Sequence, residues 1–358
     1  MTRVLLLIDS LGPGGAQRQM VGLAGLLKKE GYDTKLIYYH AIDFYKPDLI
    51  RAGVESECIK YARNKFLRFF IIAGFFIHHK PDVVISFLNI PNTITCLLKC
   101  FGMKFRLIVG ERNTTQVLNL SGKLRFYLMK RADAIVPNSY TQGNYIKKTF
   151  PQLAGKVRVI TNYLDTATFI PPISKKDYGI CRMIIVGRVA PQKNVLSFIG
   201  AITNLHKKGF LFKVDWFGRE TTDGYQYECE ELIHKYHLEQ CFAFHEPIQN
   251  IIKEYQESDV CCLPSYYEGF PNVICEAMSC GLPIVCSDVS DNSLLVKEGR
   301  NGFLFNPRSI DDMTEKLEKI LLMPYSERIL LGAESRKMAI EIFSVEKHVK
   351  EYVNLIDS

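Results

Sequence analysis

The chain has 358 residues, too many for one ordinary core and comfortable for two domains that each bury an apolar interior. Its 47% hydrophobic and 23% charged content is that of a globular enzyme and excludes a disordered or low-complexity polypeptide. A net charge of +7 suits phosphorylated substrates or an anionic membrane face; it falls short of a nucleic-acid signature, and no recognition-helix, RNP or zinc-finger pattern accompanies it.

In chain order, "MTRVLLLIDS" reads as a first strand, because five apolar residues before Asp9 are fewer than a secretory leader needs. The helix-like "AQRQMVGLAGLLKKEG" follows, then the strand-like runs "DTKLIYY", "DVVISF", "RLIVGE", "AIVPNS" and "VRVITN". That alternation predicts βαβ units with a parallel sheet buried on both faces. The segment 63–80, "RNKFLRFFIIAGFFIHHK", is the closest approach to a membrane span, but Arg68 interrupts it. It fits two placements: a crossover helix buried on the sheet, or a helix lying in a membrane interface with Arg63, Lys65, Arg68 and Lys80 as basic flanks.

At "DTATFIPPISKKDYG" two prolines and a charged turn break the alternation and mark a linker. The domains are read as 1–170 and 171–340, with a C-terminal helix over 341–358 for which one placement is back on the first domain. After the linker the pattern restarts with "CRMIIVGR" and runs through "FKVDWFGR", "CFAFHE", "DVCCLPS", "LPIVCSD" and "GFLFNP", a second Rossmann-like domain. Eleven cysteines in a chain read as lacking a secretory leader point to a reducing cytosol and a cytoplasmic protein, and no Cys-x-x-Cys pair occurs. The group Cys261, Cys262, Cys275, Cys280 and Cys286 reads as small buried hydrophobes rather than metal ligands.

Three places carry candidate chemistry. In the first βα turn, "DSLGPGGAQRQM", Gly12, Gly14 and Gly15 let backbone approach a ligand, and the next helix offers N–H groups to a phosphate. Gln17 stands where a dinucleotide fingerprint needs glycine and the second strand ends in His40 rather than an acid, which sets a dehydrogenase aside. The alternative is a turn that serves only tight packing. In "VGRVAPQKN", Arg188 and Lys193 follow a buried strand and can clamp a diphosphate and neutralise its charge as it leaves; the alternative is two solvated cations. In "EGFPNVICE", Pro271 suits a first helical position, so the N–H groups of that helix lie between Glu268 and Glu276. Carboxylates beside a diphosphate make sense as acceptors for hydroxyls, one from a ribose and one from a sugar. The alternative is a helix-start acid with an exposed helix glutamate.

Together with "GERNTT", "VPNSY", "VRVITNYLDTATF" and "GRNGFLF", and above all the Glu-x7-Glu element in "YYEGFPNVICEAMSCGLPIVCSD", these motifs resemble the family 4 retaining glycosyltransferases that build bacterial surface polysaccharides. The resemblance implies the GT-B fold, an α/β architecture of two Rossmann-like domains facing each other across a cleft. It implies that Gly14 and Gly15 contact donor phosphates, that Arg188 and Lys193 bind the diphosphate, and that Glu268 meets the transferred sugar while Glu276 meets the ribose. Backbone at Phe270, Pro271, Asn272 and Val273 would line sugar and phosphates, and Glu111, Arg112 and Asn113 would lie on the acceptor side, Arg112 suiting a second phosphate. Two departures stand out: "VSDNSLLV" where relatives often show Gly-Pro-x-Glu, and Glu246 where many carry glycine.

The implied reaction moves a hexose or N-acetylhexosamine from a UDP-sugar to a glycan acceptor linked to a polyprenyl diphosphate. It proceeds with retention through front-face attack, with no cofactor and no metal. A UDP-sugar epimerase of the same architecture and a non-catalytic nucleotide- or glycan-binding protein are the alternatives.

Overall fold

The computed structural model describes residues 1–59, 64–112, 114–248 and 250–358. They form two compact units, Met1–Tyr163 with Val345–Ser358, and Leu164–Ser344.

The first unit holds strands β1 (Arg3–Leu7), β2 (Asp33–Tyr38), β3 (Glu55–Cys58), β4 (Val83–Phe87), β5 (Arg106–Glu111) and β6 (Ala134–Pro137). Among the described residues they make one parallel sheet in the order β3-β2-β1-β4-β5-β6. Side chains alternate across the sheet, so every strand but the edge strand β3 feeds two cores. Leu6, Leu36 and Ile85 pack on one face with helix Gly15–Lys29 and with Val349 and Tyr352 of the last helix, Val345–Asp357. Leu5, Ile37 and Val84 pack on the other with Ile72 and Phe76 of helix Lys65–His79 and Phe126 of helix Leu120–Leu128.

The second unit repeats the scheme with β7 (Cys181–Val186), β8 (Phe212–Phe217), β9 (Phe242–His245), β10 (Val260–Leu263), β11 (Ile284–Ser287) and β12 (Gly302–Phe305). Their parallel order is β12-β11-β10-β7-β8-β9. Cys261, Cys262, Cys275, Cys280 and Cys286 are all buried, and burial pushes the Cys280 thiol up to about 12. No helix among the described residues is long and apolar enough to cross a membrane. Arg63 and the side chain of Lys65 lie outside the described residues.

Three sequence expectations are corrected. "VRVITN" is not a strand: Val157 makes a single bridge to Ile135, and Arg158 and Ile160 donate to the carbonyls of Ile135 and Pro137. Pro137 has no N–H to return, so the ladder stops. The unit boundary falls at Tyr163, not 170, because Leu164 and Phe169 already pack into the second unit's core while Gln19 exchanges two hydrogen bonds with the backbone of Tyr163. The C-terminal helix starts at Val345 rather than 341, since Phe343 is still buried in the second unit's core.

Candidate active site

In the second unit the loops after β7 and β10 are neighbours, at the point where strand order reverses and open α/β sheets bind ligands. Glycine shapes both strand ends here. A Cβ on Gly218 would stand 1.8 Å from the Gly187 carbonyl oxygen, and one on Gly187 would stand 3.1 Å from Lys193 Cε, so the lysine stem lies across the end of β7. The following residue, Asn194, adopts a left-handed backbone (φ 56°) that asparagine tolerates better than most residues, and its amide donates to the carbonyls of Pro264 at 3.1 Å and Pro307 at 2.8 Å.

Lys193 Nζ then reaches Glu268 Oε1 at 2.6 Å, with both side chains only 12% exposed. Arg188 is exposed and donates to Gln192 Oε1 at 2.7 Å, while Gln192 donates to the Tyr267 carbonyl at 2.8 Å. Gln192 therefore ties the Arg188 loop to the loop that carries Glu268.

Ser290 closes the site from a third side. Its hydroxyl donates to the Glu268 carbonyl at 2.6 Å and accepts from the Glu268 N–H at 3.3 Å, and its own backbone is left-handed at φ 51°. Pro271 is not the first helical residue but the cap before helix Asn272–Ser279, with φ −81° and ψ 99°. Phe270 turns its ring into the core, where it meets Phe343 edge-on, so its contribution to a ligand is its backbone. Asn272 and Val273 are half-buried at the first turn, where the N–H groups of Ile274 and Cys275 donate to the Pro271 carbonyl at 3.2 and 3.3 Å. Glu276 is 2% exposed and accepts from the Tyr255 hydroxyl at 3.0 Å, so it is not the exposed helix glutamate of the alternative reading.

In the first unit Gly14 caps helix Gly15–Lys29 in an extended conformation, its N–H donating to the Gly12 carbonyl at 2.8 Å. Gln17 donates to Asp9 Oδ1 at 3.0 Å, and its amide oxygen would lie 2.2 Å from a Cβ on Gly14. The amide occupies the space that a third glycine would open. Leu88, just after β4, has φ 76° and ψ 160°, a backbone region almost confined to glycine.

The acceptor-side candidates are interior. Glu111 is buried and accepts from the guanidinium of Arg125 and from Asn92 Nδ2 at 3.3 Å. Arg112 is buried with its guanidinium 3.5 Å from the centre of the Phe87 ring, donating to Tyr352 Oη at 2.6 Å and Asn162 Oδ1 at 3.2 Å. Burial holds Arg112 below its ordinary pKa, and burial together with the Arg112 charge pushes His348 down to about 3. His348 is thus neutral, with Nδ1 3.0 Å from the Thr161 carbonyl. Asn113 lies outside the described residues. The sequence reading missed Gln192, Ser290, Tyr255 and Arg125; only "VSDNSLLV", the segment that holds Ser290, carried a signal as a departure from pattern.

Residues 13–168 match the family model described as Glycosyltransferase Family 4, and residues 181–322 match the one described as Glycosyl transferases group 1. The amylovoran biosynthesis glycosyltransferase AmsD of Erwinia amylovora is 25% identical over 341 residues, 90% of each chain. A Campylobacter jejuni enzyme is 25% identical over 366 residues, 98% of this chain and 97% of its own. Its name is GalNAc-α-(1→4)-GalNAc-α-(1→3)-diNAcBac-PP-undecaprenol α-1,4-N-acetyl-D-galactosaminyltransferase. In fold, the chain is similar to the Anabaena protein HepE, crystallised with UDP and glucose, at a TM-score of 0.85 and 17% identity over 100% of both chains.

Proposed function

The chain belongs to the family 4 glycosyltransferases of the GT-B fold, and from that premise we propose that it moves a hexose or N-acetylhexosamine from a UDP-sugar to a lipid-linked glycan in bacterial polysaccharide synthesis. The observation that carries the donor side is the Lys193–Glu268 pair between the loops after β7 and β10. Lys193 rests on Glu268 until a diphosphate arrives with more negative charge, and the released carboxylate then accepts from sugar hydroxyls. Arg188 adds a second cation, the first turn of helix Asn272–Ser279 turns its N–H groups to the phosphates, and Glu276 accepts from the ribose diol. Gly14 and Gly15 offer backbone to the donor phosphates.

The charge that builds on the leaving diphosphate is met by Lys193, Arg188 and the helix terminus, so the reaction runs without metal. Attack comes from the face the diphosphate leaves, with the diphosphate helping to take the acceptor's proton, and the configuration is retained. The α-linked product in the Campylobacter relative's name and its PP-undecaprenol acceptor support the stereochemistry and the acceptor class. The UDP of the HepE crystals supports the base.

Thermal melting with UDP, GDP, ADP and CMP, each with and without EDTA, tests the donor side. UDP at about 100 times its Kd adds about 2.7 kcal/mol. The expected result is a UDP-selective shift that survives EDTA and shrinks in Glu276→Ala. A shift with GDP or ADP changes the donor, a shift abolished by EDTA overturns metal independence, and no shift overturns the donor site. A glycosyl group trapped covalently on Glu268 refutes front-face attack.

A further inference from the structure

Where β5 and β6 begin, at the end of the sheet opposite Arg112, the first unit has a cavity of about 460 Å³. That volume falls in the range of small-molecule sites, about 300–1,000 Å³. Arg106 and Ala134 at the strand starts form one wall, and the stretch 155–160, at the end of the short helical turn Pro151–Lys156, forms a second. The third is the end of helix Val345–Asp357, where Glu351, Asn354 and Leu355 share one face and Ser358 lies just beyond. Tyr352 of the same helix takes the Arg112 guanidinium.

Cations dominate the lining. Arg106 donates from Nε to the Leu355 carbonyl and from a terminal nitrogen to Ser358 Oγ, each at 2.5 Å. Lys156 donates to the carbonyls of Lys130 at 2.7 Å and Ala132 at 2.8 Å, and Arg158 to those of Gly155 and Val157, both at 3.0 Å. All of these partners are neutral, so among the described residues the three cations enter no ion pair and keep their charge. Asp133, also in the lining, is taken by Lys99 at 2.6 Å and by the Leu107 N–H at 2.7 Å. Glu351 makes no hydrogen bond or ion pair among the described residues, and burial holds it above the usual carboxylate range although Lys347 pulls it down. Three cations that bond only neutral groups, beside one unmatched carboxylate, leave the cavity short of an anion.

We propose that this cavity binds a small phosphate monoester with free hydroxyls, a sugar or polyol phosphate, with Arg106, Lys156 and Arg158 on the phosphate and Glu351 accepting from a hydroxyl. A phosphate group brings about 1.5–2 negative charges and three acceptor oxygens, which matches three cations better than a carboxylate does. Val159, Ile160 and Leu355 give the carbon skeleton an apolar wall. An occupant also braces the helix whose Tyr352 holds Arg112, so it acts on that strand end from the far side of the sheet. Every lining residue belongs to the first unit, so the site is distinct from the crevice beside β7 and the inference needs neither the donor nor the acceptor assignment.

The test is isothermal titration calorimetry of the whole chain with glucose 1-phosphate, glycerol 3-phosphate and inorganic phosphate at constant ionic strength. The expected result is a Kd of about 1 mM or tighter for both esters, with inorganic phosphate weaker by about threefold or more. Arg158 is exposed and bonds only carbonyls one and three residues away, so Arg158→Gln should keep the parent's circular dichroism while losing about tenfold or more in affinity for all three probes. Lys156→Gln should lose as much. Glu351→Gln should hold or tighten inorganic phosphate and abolish the advantage of the esters. The binding that Arg158→Gln removes should persist in Arg188→Gln, which strips a cation from the second unit's crevice. No binding of either ester, affinities unchanged in both Arg158→Gln and Lys156→Gln, or inorganic phosphate as tight as the esters overturns the proposal. So does a loss confined to Arg188→Gln, which would put the anion in the donor crevice and leave the donor reading standing.

Discussion

Replacing Lys193 with methionine tests whether the pair with Glu268 organises the donor site. At an effective dielectric of about 20, unit charges 2.6 Å apart attract by about 6 kcal/mol before desolvation, which cancels most of that gain. Losing one partner from a buried pair typically costs about 3–5 kcal/mol, and the 12% exposure of each side chain places this pair at the lower end, about 3 kcal/mol. For a unit the size of Leu164–Ser344, at about 2–4 °C per kcal/mol, its melting transition should fall by about 6–12 °C.

Glu268→Gln added to Lys193→Met removes the stranded carboxylate, and calorimetry should show a coupling energy of about 2 kcal/mol in the double-mutant cycle. Glu268→Gln alone leaves Lys193 free for the diphosphate, so UDP affinity should hold or rise while kcat falls. If Lys193→Met melts within about 2 °C of the parent and the two substitutions are additive, the pair is a surface contact and the donor argument fails.

Ser290→Gly keeps the left-handed backbone but loses both hydrogen bonds to Glu268; at about 1 kcal/mol for their combined effect, kcat/KM should fall about five- to tenfold with little change in Tm. Ser290→Ala should lose the same activity and a further 1 kcal/mol or so of stability; full activity in either variant refutes the positioning role. Tyr255→Phe leaves buried Glu276 short of a donor and should weaken UDP binding about tenfold by calorimetric titration, and unaltered affinity would detach Glu276 from the ribose. His348, with its pKa pushed down to about 3, refuses a proton that the unfolded chain accepts below about 6.5, so its contribution is complete above that pH and is lost as pH falls toward 3. At pH 5 this amounts to about 2 kcal/mol, so the parent should lose more Tm between pH 7 and pH 5 than His348→Asn; equal slopes refute it.

The strands that the sequence made legible are those buried on both faces, such as "DVVISF" and "DVCCLPS", because continuous Val, Ile, Leu and Cys runs have few other uses in an α/β chain. β3, Glu55–Cys58, could not be read that way: it is a half-exposed edge whose acid Glu57 pairs with Lys35 of β2 at 3.3 Å. Glu268, Lys193 and Glu276 were legible because they stand on a motif at strand ends. Their supports were not, because each acts across the chain: Gln192 reaches Tyr267, 75 residues on, and Ser290 reaches back 22 residues. Arg112 shows the same limit in the other direction. A cation at a strand end suggests an open anion site, and only the return of the last helix, 240 residues later, brings the Tyr352 hydroxyl that takes its guanidinium inward.

The two units have the same strand order, so they have equivalent crevices, beside β1 and β4 in one and beside β7 and β10 in the other. They fill them differently. Beside β1 a neutral amide, Gln17, holds the Asp9 carboxylate, and that pair carries a net negative charge. Beside β7 an ammonium, Lys193, holds Glu268, that pair is neutral, and exposed Arg188 next to it tips the balance positive. In the proposed donor reading a diphosphate meets Lys193 and Arg188 in the second unit, whereas the turn before helix Gly15–Lys29 offers backbone N–H groups. In the proposed reaction the leaving group's charge grows, and it would be met best where a lysine can be released to it; this asymmetry between two copies of one topology is what favours the second sheet for the proposed donor chemistry.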